Sequence, residues 1–309
     1  MALYAFDGTW NSDHDAGQYG QDTNVVKFAR LYDDHKVMLG KDGKEESVKQ
    51  LPAGAKGDDV FFEAGVGTRL GRVGRIFGGA LGAGGFMRIQ EAKKAAKKRY
   101  ADGDPDVDIV GFSRGAALAL HFANVMHGEK IPVRFLGIWD VVAAFGVPIN
   151  LGPIPFQRIN LGYKLTLPES VKYCFHAVAM DERRPAFKVT RVDNGYQVWF
   201  RGVHSDIGGG NENEKLSNIS LRWMLRKAAK AGLPVDAGGV IETVPDAAVK
   251  VTGKIQKEFR ELRKNDRFHY TVGPRQPPEC QNRPEGCPVE SEADELNRIL
   301  TTEELKKQV

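Results

Sequence analysis

Val107-Asp108-Ile109-Val110-Gly111-Phe112-Ser113-Arg114-Gly115-Ala116 is the stretch whose reading decides the fold. Residues 107–110 form an apolar run of strand type, and Gly111 to Gly115 spell Gly-x-Ser-x-Gly. That pattern is short and arises by chance, so its setting carries the weight. From Gly115 to Met126 the sequence turns helical, with Leu118, Phe122 and Val125 near one face and Gly128 closing it. Strand, sharp turn and helix is the setting in which such a serine becomes an exposed nucleophile. The two glycines are expected because a strained serine backbone brings neighbouring chain too close for a Cβ. The competing reading of Ser113 is the N-cap of an ordinary helix.

Working outward, Leu3 to Phe6, Val133 to Trp139, Tyr173 to Met180 and Val198 to Val203 read as further buried strands. Helices are expected from about Asn24 to Tyr32, Met87 to Tyr100 and Leu216 to Ala231, with a polar, Lys-rich loop between the first two. Alternation of this kind predicts an α/β protein of α/β-hydrolase type, a mainly parallel central sheet with helices on both faces. Asn194-Gly195, between residues 187–190 and 197–199, reads as a tight hairpin turn. Past about residue 233 the pattern loosens. Residues 1–233 are therefore expected to be the catalytic domain and 234–309 a C-terminal extension. Within that extension, prolines mark a linker over 274–288, and Ser291 to Lys307 reads as one amphipathic helix.

A serine nucleophile needs a base, and the base an orienting acid, in the chain order serine, acid, histidine. His204 ends the run Val198–Val203 and leads into Ser205-Asp206-Ile207-Gly208-Gly209-Gly210, which is expected to be a flexible loop at a strand's carboxyl end. His176 lies inside a strand run, His121 and His127 on or beside the helix after Ser113, and His269 in the loosened region. His204 is therefore the base expected here. Two acids compete. Asp140 ends the first strand after the nucleophile helix, and Asp181 ends the next, which is the commoner position. The backbone N–H of Arg114 is the first candidate oxyanion donor, and Gly8 or Thr9, after the first strand, the second.

Composition excludes several classes. The chain has 309 residues, 41% hydrophobic and 27% charged, which fits a folded globular chain. A net charge of +4, with no aromatic-interleaved basic patch, lacks the footprint of a nucleic-acid binder. The glycine-rich stretch from Gly65 to Gly85 is no phosphate loop, since no Gly-Lys-Ser/Thr ends it. Residues 1–6 are apolar but lack the basic start of a signal peptide. The expectation is a cytoplasmic chain, or one exported without a cleavable signal. Cys174 reads as core, and Cys280 and Cys287 are close enough to bridge. Neither a metal nor an organic cofactor is expected.

Six pieces then occur in order: Phe6-Asp7-Gly8-Thr9-Trp10-Asn11, Thr23-Asn24-Val25, Gly65-Val66-Gly67-Thr68, Gly111 to Ala116, Gly137-Ile138-Trp139-Asp140, and Gly202 to Gly210. Together, over about residues 1–233, they resemble the type VI secretion phospholipase effectors of the first lipase class and the wider domain family containing them. The resemblance implies a Ser-Asp-His triad whose acid falls on Asp140 rather than Asp181. It also implies phospholipase A activity on membrane glycerophospholipids, with peripheral membrane contact and a cognate inhibitor or secretion-apparatus partner. At 309 residues the chain is shorter than the large effectors, and little room is expected for their membrane-anchoring module. Two jointed apolar segments, 71–86 and 141–170, are candidate lids, the second carrying Phe145, Ile154 and Phe156. Rival readings are an esterase for small soluble esters and a non-catalytic interaction module on the same fold.

Overall fold

Among the described residues eight strands form one sheet, and every neighbouring pair in it is parallel. The computed structural model describes residues 2–8, 22–32, 59–63, 83–143, 162–184, 187–210, 214–238, 259–274 and 285–308. The strands are β1 (Ala2–Phe6), β2 (Asp59–Glu63), β3 (Val107–Phe112), β4 (Val133–Trp139), β5 (Val171–Ala179), β6 (Tyr196–Phe200), β7 (Arg267–His269) and β8 (Val289–Glu290). Their order across the sheet is β2-β1-β3-β4-β5-β6-β7-β8.

That order has a functional consequence. The chain leaves β1 for β2 on one side, returns to β3 on the other, and then proceeds in sequence to the far edge. The direction therefore reverses between β1 and β3. In open parallel sheets a crevice forms outside the carboxyl ends of the strands at such a reversal, and ligands bind there. Asp7-Gly8 and Ser113 follow directly from those two strands.

Both faces of the sheet are covered, as the unbroken apolar runs require. On one face α2 (Ala83–Ala101) and α3 (Arg114–Gly128) bury Ile89, Ala92, Leu118, Phe122 and Met126 against Tyr4, Ile109 and Ile138. On the other, α1 (Asn24–Arg30) and α5 (Glu214–Lys230) bury Phe28, Leu216, Ile219 and Trp223 against Leu3, Phe135 and Phe175. Helix α5 ends where Gly232 takes φ +86, letting Gly232 N donate to Ala229 O and Leu233 N to Ala228 O.

Several sequence expectations are corrected. Asn194-Gly195 makes a turn, with Asn194 at φ 63, but it joins no hairpin: β6 pairs in parallel with β5, and Val189 forms only an isolated bridge to Val142. The glycine-rich segment after Val203 starts as a short helix, α4 (His204–Gly208), rather than a loop. The single C-terminal helix is two, α6 (Glu292–Asn297) and α7 (Thr302–Lys306). Ser291 and Thr301 each cap a new start, bonding reciprocally with Asp294 and Glu304. Strand β2 lies where a loop was expected, because Val60-Phe61-Phe62 is a short apolar run between acids.

The C-terminal stretch completes the sheet through β7 and β8. Its dock is a buried polar network: Lys227 on α5 pairs with Glu290 on β8 at 2.8 Å, and Tyr196 and Trp223 donate to the same carboxylate at 3.0 and 2.7 Å. Lys227 also donates to the Arg298 carbonyl at 2.8 Å. Removing one partner of a buried ion pair strands the other charge. Glu290→Ala is therefore expected to lower unfolding free energy in urea by about 3–5 kcal/mol. Replacing both Lys227 and Glu290 by apolar residues should cost less than the sum of the single changes.

Candidate active site

Ser113 has φ 59 and ψ −123, a conformation that L-residues seldom hold. The surroundings hold it there from three sides: its N–H donates to Trp139 O at 3.0 Å, and its carbonyl accepts from Val142 N and Ala117 N. Both flanking glycines are sterically required. A Cβ on Gly111 would lie 2.8 Å from Ala116 Cα, and one on Gly115 would meet Phe6 O at 2.1 Å. The end of β1 is thus pressed against the first turn of α3. Ser113 is 7% exposed at the sheet's carboxyl edge, with the N-terminus of α3 behind it.

Asp140 follows β4 at φ 40 and is fully buried. Its Oδ2 accepts from His204 Nδ1 at 2.5 Å, and its Oδ1 accepts from Ala179 N at 3.0 Å. Arg260 grips the same carboxylate, Nη1 to Oδ1 at 2.5 Å and Nη2 to Oδ2 at 2.9 Å. Burial alone would raise the Asp140 pKa, but the Arg260 charge and the His204 bond outweigh it and hold the carboxyl below the usual range. His204 is 4% exposed, its ring between Phe112 and Phe187 at centroid distances of 4.6 and 4.7 Å. Burial among these rings lowers its pKa below 6.5 despite the pull of Asp140. With a carboxylate on Nδ1, the neutral ring carries its proton there and leaves Nε2 as the basic atom.

The structure thus joins Asp140 to His204 and sets Phe112, the neighbour of Ser113, against the same imidazole. Asp181 serves elsewhere: its carboxylate accepts from Arg201 Nη1 at 2.7 Å and Gly202 N at 2.8 Å. Gly8 departs from expectation. Its N–H donates to Asp7 Oδ1 at 2.6 Å instead of facing open space. Thr9, Phe145, Ile154 and Phe156 lie outside the described residues, as do residues 71–82 and 144–161 of the two expected lids. Cys280 also lies outside them; Cys174 and Cys287 are free thiols. Among the described residues no cluster of His, Cys, Asp or Glu could hold a metal ion, and no helix is long and apolar enough to cross a membrane.

Comparison with known families matches residues 3–128 and 117–227 to a family described as "T6SS, Phospholipase effector Tle1-like, catalytic domain". The chain belongs to the Tle1-like catalytic-domain family. Among solved structures, an uncharacterized protein from Pseudomonas aeruginosa is 19% identical at a TM-score of 0.50, over 76% of this chain and 46% of that one. A Tle1 effector bound to the VgrG spike of the type VI secretion system is 24% identical at a TM-score of 0.43, over 68% of this chain and 51% of that one. The chain therefore spans about half the length of these two. A curated relative, "Uncharacterized protein YEL023C" of Saccharomyces cerevisiae, is 38% identical over 58 residues, 17% of this chain and 8% of its own.

In this member of the Tle1-like family Asp7, Thr23, Asn24 and Phe112, from three of the sequence pieces, gather around the His204 helix, while Gly65 to Thr68 lie outside the described residues. Thr23 Oγ1 donates to Asp7 Oδ2 at 3.0 Å, and Thr23 bridges Gly209. Asn24 Nδ2 donates to Ile207 O, Ser217 O and Ser220 Oγ, tying α4 to α5. A Cβ on Gly208 would strike the Phe112 ring at 2.0 Å, so this glycine lets α4 sit against the end of β3. Two contributors escaped sequence reasoning. Glu182 accepts from the His204 N–H at 3.1 Å, and its position beside Asp181 at a strand end was a usable signal. Arg260 lies in the loosened region and had none.

The strain at Ser113 is testable apart from chemistry. Glycine holds this backbone without penalty, whereas other residues pay about 1–3 kcal/mol. Ser113→Gly is expected to raise unfolding free energy by about 1 kcal/mol after glycine's greater unfolded-state entropy. Ser113→Ala, which keeps the Cβ, should stay near wild type.

Proposed function

We propose that this chain is a lipolytic serine esterase of phospholipase A type, working through a Ser113-Asp140-His204 triad. The observation that carries the reading is the 2.5 Å bond between Asp140 and His204 Nδ1, made at the sheet edge where Ser113 occupies a strained strand-to-helix turn. An orienting acid, a base with one ring nitrogen fixed, and a serine on an elbow are the parts of acyl transfer.

In the first half-reaction Ser113 Oγ attacks the ester carbonyl while His204 Nε2 takes its proton. The oxyanion lies against the Arg114 N–H at the start of α3, where the helix dipole favours negative charge. The tetrahedral intermediate expels the alcohol, which leaves with the proton from His204. Water then attacks the acyl-serine, again losing a proton to His204, and the carboxylic acid departs with Ser113 restored. Asp140 keeps the imidazole oriented throughout and stays ionised. The Gly8 N–H could join the oxyanion hole only after releasing Asp7 Oδ1.

The family's phospholipase description supports a lipid ester as substrate. We propose membrane glycerophospholipid as that ester, met by peripheral contact. The relative bound to a VgrG spike supports a secretion-apparatus partner and export without a cleavable signal from a cytoplasmic site of synthesis.

Incubation with a defined phosphatidylglycerol or phosphatidylethanolamine, followed by mass spectrometry, should give free fatty acid and lysophospholipid with wild type and neither with Ser113→Ala. Faster turnover of short soluble esters than of vesicles would overturn the lipase reading. The base must be neutral to work, and burial lowers the His204 pKa from 6.5. The acid limb of kcat/KM is therefore expected to have its midpoint below pH 6.5; a midpoint above it would contradict this environment for His204.

A further inference from the structure

Arg260 stands outside the residues matched to the Tle1-like family, yet it touches the proposed catalytic acid. Four of its bonds run to both Asp140 oxygens and to two backbone carbonyls, Ala179 O at 2.5 Å and Phe187 O at 2.6 Å. Ala179 is the last residue of β5, and Phe187 packs on the His204 ring. One guanidinium therefore ties together the acid, the strand beside it and the wall of the imidazole pocket. The carboxylate in turn receives four donors: Ala179 N and Arg260 Nη1 on Oδ1, and His204 Nδ1 and Arg260 Nη2 on Oδ2.

We infer that Arg260 is a positioning residue for the proposed hydrolysis, locking the Asp140 carboxylate in the plane that orients His204. The inference rests on the triad reading. Arginine suits the task because a planar fork can place two parallel N–H groups on a carboxylate while others point outward. A buried carboxylate with one imidazole partner could rotate about its side-chain bond; with both oxygens doubly held it cannot.

The clamp also sets the charge seen by His204. The groups around it are Asp140, the Arg260 guanidinium, Glu182 bonded to its backbone, and Arg184 paired with Glu182 and stacked on Phe187. His176, on β5, is buried and its pKa falls to about 4, so it stays neutral, accepting from Val141 N through Nε2. Phe112 and Phe187 add no charge. Arg260 is thus the cation that offsets Asp140, and it opposes protonation of His204. The base stays free to accept the serine proton at lower pH than an acid without the clamp would allow.

The test measures pH profiles of kcat/KM on a soluble p-nitrophenyl ester for wild type, Ser113→Ala, Arg260→Gln, Arg260→Lys and Arg226→Gln, with circular-dichroism melts of each. Arg226 pairs with Glu295 at 2.7 Å in the C-terminal stretch and controls for loss of an ion pair away from the site. Arg260→Gln should lose about 10- to 100-fold in kcat/KM, as removal of partners that orient a site's inner ligands does. Its acid-limb midpoint should rise by about half to one pH unit, because a cation near the base is gone. Arg260→Lys keeps the charge but not the fork, so it should hold the wild-type midpoint and recover only part of the rate.

Arg226→Gln should match wild type in both. A folded Arg260→Gln with wild-type rate and midpoint, or with a lowered rate and an unmoved midpoint, would overturn the inference. If Arg260→Gln does not fold, Arg260→Lys decides: full wild-type kcat/KM in that variant excludes a clamp that needs the guanidinium. Hydrolysis by wild type that is lost in Ser113→Ala keeps the triad reading whatever Arg260 does. Wild type without Ser113-dependent hydrolysis removes that reading, and this inference falls with it.

Discussion

A carboxylate sealed from water is the constraint around which the rest of this structure is arranged. Asp140 has no exposed surface, and an ion buried without partners would neutralise or unfold its surroundings. It is held by His204 from beyond β6, by Arg260 from the segment before β7, and by the backbone of Ala179 at the end of β5. Three parts of the chain that are distant in sequence are therefore fixed relative to β4 by a single group. The neighbouring strand end repeats the device: Asp181 and Glu182 hold the Gly202 and His204 N–H groups. The imidazole is thus oriented through its ring and through its own backbone.

The elbow is maintained by packing rather than by polar bonds alone. Gly111, Gly115 and Gly208 each occupy a place where a methyl group would collide with β1, α3 or the Phe112 ring. These close approaches let β1, α3 and α4 press together around Ser113 and hold a backbone conformation that costs energy by itself. The direction reverses between β1 and β3, where parallel sheets generally open a crevice, and the strained serine follows directly from β3.

Much of this was legible in the sequence because parallel strands buried on both faces must be apolar throughout. The runs at 3–6, 107–112, 133–139 and 173–180 announced the central sheet, and Gly-x-Ser-x-Gly marked its switch point. Where the reading failed, the cause was local ambiguity or distance. Asn194-Gly195 has hairpin chemistry, but the turn feeds a strand whose partner is the earlier β5. β7 and β8 have three and two residues, too few for a period to show. Glycines after His204 suggested a loose loop, whereas they allow a short helix to lie against Phe112 and Asn24. Arg260 could not be found from sequence, because one arginine in an irregular segment says nothing of a carboxylate 120 residues earlier.

The proposed hydrolysis requires that Ser113 be a nucleophile activated by His204. Its most direct measurement is peptide mass spectrometry after treatment with a fluorophosphonate, which reacts far faster with an activated serine than with an ordinary one. The expected result is one adduct, on the peptide containing Ser113, formed by wild type and abolished in His204→Ala although Ser113 is still present. An adduct on another residue, or undiminished labelling of Ser113 in His204→Ala, would contradict it.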